Sequence, residues 1–357
     1  MIEKFFESEY RAVNKQLEAY FRNLNKRETD SLFNDFIIQF KDFILNDKAK
    51  RLHPVILIAA FSGIINPMYL EDKINEIRKV SIAVELLHNA HLIQDDLIDN
   101  DEVRRGVPTF HRQMKLEIEE IYRSNNHQTD PQKSPYFGRD MGILGGTYAY
   151  VLGMDIIKNS NFQNKLKLMA VKEYTEAVDY LLKGQIIEEY MNYHNLTMSL
   201  EQYLNIAEML RARVFEKSAR IGAILAKGNI HYQINPLSEA MLRIGQSYAI
   251  RDDILDMRDD IRGKKKKIIY ILAVQNTNEE QSKKINEIYN KEKITDADVD
   301  KVERIFGETN AVVIAEHLSK NLVSQAKTYL KDVYPDLNKQ EKEFFNEFAD
   351  FIYLRQS

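Results

Sequence analysis

The chain has no cysteine and no tryptophan, and only 13 glycines and 7 prolines among 357 residues. Without cysteine there is no disulfide, no thiolate nucleophile and no cysteine metal site. That composition suits a reducing compartment, and the cytoplasm is the expected location. Scarce glycine and proline leave few of the turn signals that short-stranded β architectures need. No long hydrophobic run exists either. The longest purely apolar stretch, Val55 to Phe61, falls far short of the roughly 20 residues of a membrane helix. The uncharged run Met141 to Met154 is also short, and Gly142, Gly145, Gly146 and Thr147 interrupt it. With no tryptophan there is no aromatic belt of the usual kind. The first residues, MIEKFFESEYRAVNKQLEAYF, are charged throughout and lack a signal-peptide apolar core. Neither charge sign is in large excess. A formal net charge of −4 argues against general nucleic-acid binding.

What is present is a helical pattern. Hydrophobic residues make up 44% of the chain and charged residues 29%, the balance of a globular protein with a large core. Leu32, Phe33, Phe36, Ile37, Phe40, Phe43 and Ile44 recur at three and four, as do Ile206, Met209, Leu210, Val214 and Phe215. The expected fold is all-α: a single large bundle of ten or more mostly antiparallel helices around a central cavity. Two polar stretches interrupt the pattern. Residues 123–135 (RSNNHQTDPQKSP) hold turn formers and no apolar period, which predicts an insert loop. Asn276 to Asp300 is charged and predicts a surface helix–loop segment. Neither reads as a domain linker, so residues 1–357 are expected to form one domain.

Two acid triplets share one spacing. Asp95, Asp96 and Asp99 stand at i, i+1 and i+4, and so do Asp252, Asp253 and Asp256. On a helix the first and last of each set lie one above the other. Apolar residues precede both sets: Leu86, Leu87, Ala90, Leu92 and Ile93 in one case, Tyr248, Ala249 and Ile250 in the other. Two carboxylates ~4 Å apart repel by roughly 4 kcal/mol at an effective dielectric near 20. Such clusters call for a cation. Oxygen-only ligands favour Mg²⁺ over zinc or iron, and Mg²⁺ completes its shell with water and substrate phosphates. The alternative is two solvated acidic helix ends, a weaker account of two clusters with identical spacing on apolar helices.

Other groups fit a bound polyphosphate. Arg104 and Arg105 directly follow the first triplet, where guanidinium forks suit bidentate contacts to phosphate. Neutralisation of Asp99, Asp101 and Glu102 is the competing reading for that pair. Lys264 to Lys267 follow the second triplet, either as a solvated loop or as point charges for a diphosphate. His88 lies seven residues before Asp95, on the same helical face, where packing is the alternative to function. A metal-bound diphosphate is a good leaving group because the ions neutralise its developing charge. In a dry cavity with a hydrophobic tail, that points to ionisation at an allylic carbon, with aromatic faces stabilising the cation.

These residues resemble the trans-isoprenyl diphosphate synthases, or polyprenyl synthetases. ELLHNAHLIQDDLIDNDEVRRGVPTFH, from Glu85 to His111, resembles the family's first aspartate-rich region, and YAIRDDILD resembles the second. The resemblance runs from Lys50 to the closing helix that ends at Arg355, and is nearest in motif to geranylgeranyl diphosphate synthases. It implies an all-α homodimer of isoprenoid synthase type, a prenyltransferase joining an allylic prenyl diphosphate head to tail with isopentenyl diphosphate (IPP). The product would be a longer trans-prenyl diphosphate, C20 here, with release of pyrophosphate. Carried over by position, Asp95, Asp99, Asp252 and Asp256 would ligate Mg²⁺, three ions with substrate bound, while Asp96 and Asp253 support them. Arg104 would touch the allylic diphosphate. Arg105, Lys50 and His88 would bind the IPP diphosphate. Gly184–Gln185 matches the family's Gly-Gln and Gly222 a helix-ending glycine. Ala90 and His91 occupy the positions that set product length.

The departures cluster around the diphosphate groups. His53 stands where the family has an arginine that holds IPP. The family's Lys-Thr pair falls at Leu210–Arg211, with Arg211 or Arg213 as the substitute, and Ala249 replaces a glutamine. Glu188 stands where aspartate is usual, and Gly146–Thr147 replaces Gly-Asp. The loop after the second triplet is shortened, which leaves Lys266 as the expected diphosphate contact. Two further readings stay open on this scaffold: a prenyl diphosphate lyase or cyclase that needs no IPP, and a non-catalytic subunit of a synthase.

Overall fold

The computed structural model describes residues 2–124 and 133–355. The chain divides into two compact units, Met1–Val178 with Ile221–Gly228, and Asp179–Arg220 with Asn229–Ser357. The first unit contains α1 (Ile2–Arg27), α2 (Ser31–Ile44), α3 (Leu52–Ile64), α4 (Leu70–Ile98), α5 (Phe110–Ser124), α6 (Ser134–Lys158) and the first half of α7 (Asn164–Tyr193). It also holds a short hairpin, β1 (Val103–Arg104) and β2 (Val107–Pro108), paired antiparallel. The second unit contains the end of α7, α8 (Leu200–Ala207), most of α9 (Arg213–Leu225), α10 (Asn235–Leu255), α11 (Met257–Arg262), α12 (Ile268–Gln275), α13 (Glu279–Tyr289), α14 (Asp296–Glu308), α15 (Ala311–Lys331) and α16 (Lys339–Leu354). The all-α expectation is borne out. The predicted insert at 123–135 falls largely on residues outside the described ones; the flanking helices reach Ser124 and start again at Ser134. The charged stretch after Asn276 forms α13 and the start of α14.

Local chemistry explains where elements begin. Asp30 caps α2 by accepting a hydrogen bond from Phe33 N at 3.0 Å, satisfying one of the helix's orphan donors. The helix then buries Ile37, Phe40, Phe43 and Ile44, the inward part of the predicted stripe, whereas Leu32 stays exposed. Phe40 stacks on Phe36 with centroids 5.5 Å apart and meets Phe110 edge-on at 5.8 Å. Such pairs add about 0.5–1.5 kcal/mol beyond area burial. Helix α3 is buried from Leu52 to Gly63, so it has no polar face and runs through the core of its unit. Gly222, near the end of α9, allows the closest approach: a Cβ there would lie 2.1 Å from Leu57 O of α3.

One irregularity has no sequence signature. Between α8 and α9 the chain makes a π-helical turn, Glu208–Ala212, in which Arg213 N donates to Glu208 O. Such turns occur often at functional sites. This one carries Arg211. Among the described residues no helix is long and apolar enough to cross a membrane.

Candidate active site

In the first unit the acids sit at the C-terminal end of α4. Asp95 is half-buried, Asp96 wholly buried and Asp99 exposed at the C-cap. The chain turns back at once through the β1–β2 hairpin, whose two turn residues, Arg105 and Gly106, have φ of 56° and 79°. Positive φ at both central positions is the type I′ geometry that matches hairpin twist. It is uncommon for an arginine, and a Cβ on Gly106 would come within 2.9 Å of Lys48 Nζ. The hairpin is pinned to the helix end by Asp101 N donating to Asp96 O at 2.8 Å, and internally by Thr109 Oγ1 donating to Asp101 O at 2.7 Å.

This return places Arg104 over the acids. Its Nε donates to Asp96 Oδ1 and its Nη2 to Asp95 Oδ2 at 3.4 Å. Burial nevertheless pushes the Asp96 carboxyl up to about 7, against the pull of Arg104. Asp96 Oδ2 is buried without a hydrogen-bond partner, an acceptor whose need a cation or a proton would meet.

The same unit holds a second group of charges. The imidazoles of His53 and His88 stand 4.6 Å apart. Burial pushes His53 down to about 4. Burial, then His53 and Arg105, hold His88 well below the ordinary imidazole range. Arg105 is half-buried, and its Nη1 has no hydrogen-bond partner. Beside them Arg51 and Glu85 form a fully buried ion pair, with Arg51 Nε on Asn14 Oδ1 at 2.9 Å and Nη2 on Ile44 O at 2.7 Å. Burial alone would raise the Glu85 carboxyl, and Arg51 and Arg105 hold it below its usual range. Lys50 is exposed just before α3. Ala90 is wholly buried in the core cluster it shares with Ile58, Leu86 and Ala149, and His91 is half-buried.

In the second unit the acids sit at the C-terminal end of α10. Asp252 is held by two guanidiniums: Arg211 Nη1 on Oδ2 at 2.9 Å and Arg355 Nη2 on Oδ1. Burial would raise this carboxyl, and the two arginines hold it below its usual range. Asp253 is buried, accepts from Tyr203 Oη at 2.6 Å and pairs with Lys267 Nζ at 3.4 Å. Lys267 also reaches Asp260 at 3.2 Å. Burial works against the Lys267 charge, and Asp253 and Asp260 outweigh it. Asp256 is exposed at the surface; partial loss of water around its carboxyl, with Asp252 nearby, raises it. Gln185, on α7, is buried and donates to Glu189 Oε1 at 3.4 Å, while its Oε1 has no partner. Gly184 lets α7 lie against the π turn: a Cβ there would meet Leu210 Cγ at 2.8 Å.

Within each unit the structure brings together most residues singled out by sequence. Lys266 is different. Its Nζ donates to Asn195 Oδ1 at 2.8 Å, and the lysine that touches the second acid set is Lys267. Sequence reasoning also passed over the Arg51–Glu85 pair, Tyr203 and the acid contact of Arg355. Nothing in the spacing of those residues marks them.

Among the described residues no group of three or more His, Asp or Glu side chains forms a metal cage by itself. The donors still fit a hard cation. They are carboxylate oxygens only, each set has an exposed member, and Mg²⁺ takes one or two carboxylates plus phosphate oxygens. Each set already carries arginine as a counter-cation.

Comparison with known proteins agrees with this chemistry. A family model described as polyprenyl synthetase matches residues 35–308. The chain is 28% identical over 317 residues to a short chain isoprenyl diphosphate synthase of Methanocaldococcus jannaschii, covering 86% of this chain and 85% of that one. It is 26% identical to a geranylfarnesyl diphosphate synthase of Aeropyrum pernix, covering 86% and 90%. Its fold is that of the geranylgeranyl pyrophosphate synthase of Corynebacterium glutamicum, solved with isoprenyl diphosphate and magnesium, with a TM-score of 0.83, 22% identity and 99% of each chain covered.

Proposed function

The chain belongs to the polyprenyl synthetase family of prenyltransferases, and from that membership we propose that it joins an allylic prenyl diphosphate to IPP, giving a C20 trans-prenyl diphosphate and pyrophosphate. The observation that carries the reading is the presence of two aspartate sets of one spacing, one in each unit, each at a helix C-terminus and each bearing arginine on its carboxylates. Mg²⁺, as three ions with substrate bound, would neutralise the charge that collects on the departing pyrophosphate. Asp95, Asp99, Asp252 and Asp256 are the proposed ligands, and Asp96 and Asp253 hold the neighbouring arginine and lysine. Arg104, with Gln185 and Arg211, is assigned to the allylic diphosphate. Lys50, His53, His88 and Arg105 are assigned to the IPP diphosphate. In the reaction the allylic C–O bond breaks and its electron pair leaves with pyrophosphate. The IPP double bond then forms the new C–C bond, and a proton is lost.

The 357 residues are read as one catalytic domain, because α7 and α9 each contribute residues to both units. A homodimer is the proposed assembly, supported by an exposed stripe of Tyr136, Ile143, Leu144, Val151 and Met154 along one face of α6. A cysteine-free chain acting on water-soluble diphosphates is assigned to the cytoplasm. The C20 length follows from the small Ala90, with His91 as the group that limits the tail.

One observation favours a second reading. A buried, neutral His53 in place of an arginine weakens the case for IPP binding, and a lyase or cyclase would not need that charge. The test is incubation of purified protein with Mg²⁺, labelled IPP and, separately, C5, C10 and C15 allylic diphosphates, followed by sizing of the dephosphorylated products. A discrete labelled C20 product supports the synthase. Pyrophosphate release without IPP and without label incorporation identifies the lyase or cyclase. No turnover of either kind leaves the non-catalytic subunit.

A further inference from the structure

The two oxygens of Asp252 are held by arginines in very different settings. Arg211, on Oδ2, has a side chain 41% exposed and sits on the π turn. Arg355, on Oδ1, has a side chain 4% exposed. Its guanidinium carbon lies 4.2 Å from the ring centroid of Tyr248, and its own carbonyl accepts from Arg251 Nε at 3.0 Å. Its N–H closes the last turn of α16 on Phe351 O at 2.9 Å. Tyr248, Arg251 and Asp252 all lie on α10, so three contacts fasten the residue after α16 to the acid-bearing end of that helix.

The asymmetry decides which arginine leaves. An exposed guanidinium loses little by exchanging a carboxylate for water or for a phosphate oxygen. A buried one left unpaired is far costlier. We propose that Arg355 is a positioning residue for Asp252: it keeps Oδ1 occupied, so that when Arg211 turns away only Oδ2 is presented to a divalent cation. This rests on the reading of Asp252 as a metal ligand. Aiming one oxygen and holding the other is the role that outer partners of ligating carboxylates commonly play. The same contacts make the end of α16 part of the support for the site, although Arg355 lies 103 residues from Asp252.

Position and charge predict opposite signs. Removing a nearby cation by Coulomb's law alone tightens binding of a second cation, whereas losing the partner that orients a ligand weakens it. The experiment uses the full chain, Mn²⁺ as the probe and inorganic pyrophosphate as the anion, with bound Mn²⁺ read by electron paramagnetic resonance. Arg355→Met should weaken Mn²⁺ binding about tenfold, the lower end of losses for such outer partners. Arg355→Lys should recover most of that loss. Tyr248→Leu, which keeps every charge and removes the platform under the guanidinium, should give a smaller loss in the same direction. Thermal unfolding of each variant establishes that it is folded, and amide exchange at residues 351–355 should rise in Arg355→Met. Unchanged or tighter Mn²⁺ binding in Arg355→Met, or no effect of Tyr248→Leu, overturns the positioning role. Asp252→Asn separates this from the reading beneath it: if that variant binds Mn²⁺ as the parent does, the metal-ligand assignment falls and the proposal falls with it.

Discussion

His53 and His88 place their imidazole rings 4.6 Å apart in the first unit, with Arg105 and the Arg51–Glu85 pair as neighbours. Burial keeps both rings neutral at pH 7, His53 at about 4. Arg104 and His91 add to the positive surroundings of His88, and Glu85 opposes them at His53. On the proposed IPP role of this pair, an arriving diphosphate would reverse that preference and draw a proton onto it. KM for IPP is expected to rise as pH rises above about 4, by up to about tenfold per unit for one proton taken up. His53→Arg, which supplies a permanent charge, should flatten that profile. A pH-independent KM in the parent chain would sink the idea.

The same histidine sets a stability window. With its folded value below the unfolded one, the unfolded chain binds more protons between about pH 6.5 and 4, so stability falls as pH falls through that range. The slope for one buried histidine is up to about 1.4 kcal/mol per unit. Urea unfolding at pH 7 and pH 5 should show a smaller loss in His53→Gln than in the parent chain.

Asp95→Ala should leave the fold intact, because its 3.4 Å pair with Arg104 is partly solvated and worth no more than about 1 kcal/mol. Mg²⁺-dependent turnover should drop at least about a hundredfold, the scale of losing one charge-stabilising group. Near-parental pyrophosphate release would remove Asp95 from the site.

The buried Arg51–Glu85 pair makes a prediction about folding alone. Arg51→Met leaves a buried carboxylate without its partner and should cost about 3–5 kcal/mol. The double variant Arg51→Met with Glu85→Met should recover much of that. A double variant less stable than the single would show that the charges themselves stabilise the unit.

Adjacent lysines should behave differently. Lys267→Met removes the partner of Asp253 and Asp260 and should lower both stability and kcat/KM. The burial that already pushes Asp260 up to about 6 would then be opposed by Lys265 alone. Lys266→Met breaks one bond to Asn195 and should have the smaller effect on both. Comparing the two by thermal unfolding and steady-state kinetics decides between them.

His91→Ala should shift the product to longer chains than the parent makes, with chromatographic sizing as the check. An unchanged product distribution would free His91 of that role.

What the sequence makes legible here is whatever has a short period. The acid sets are visible because i, i+1, i+4 is a helical face, and α2 because its apolar residues recur at three and four. The hairpin is invisible because each strand has two residues, and because Arg105 takes a backbone conformation its side chain does not advertise. Lys266 and Lys267 have identical composition signals and differ only in direction. The Arg51–Glu85 and Asp252–Arg355 pairs span 34 and 103 positions, and no local pattern encodes a partner that far away.

The π turn at Glu208–Ala212 behaves as one surplus residue lodged in an otherwise continuous helical path. Each residue of an α-helix advances the side chain by about 100°. Deleting a single position there would let the path relax to ordinary α geometry with almost no change in hydrophobic content. The flanking helices would keep their present directions, while residues on the turn itself would change theirs by up to about that angle, and Arg211 and Asp252 would part. The direction of Arg211 thus hinges on an indel-sized detail, and a change of length at this spot would take the arginine off Asp252 with the least disturbance to the core.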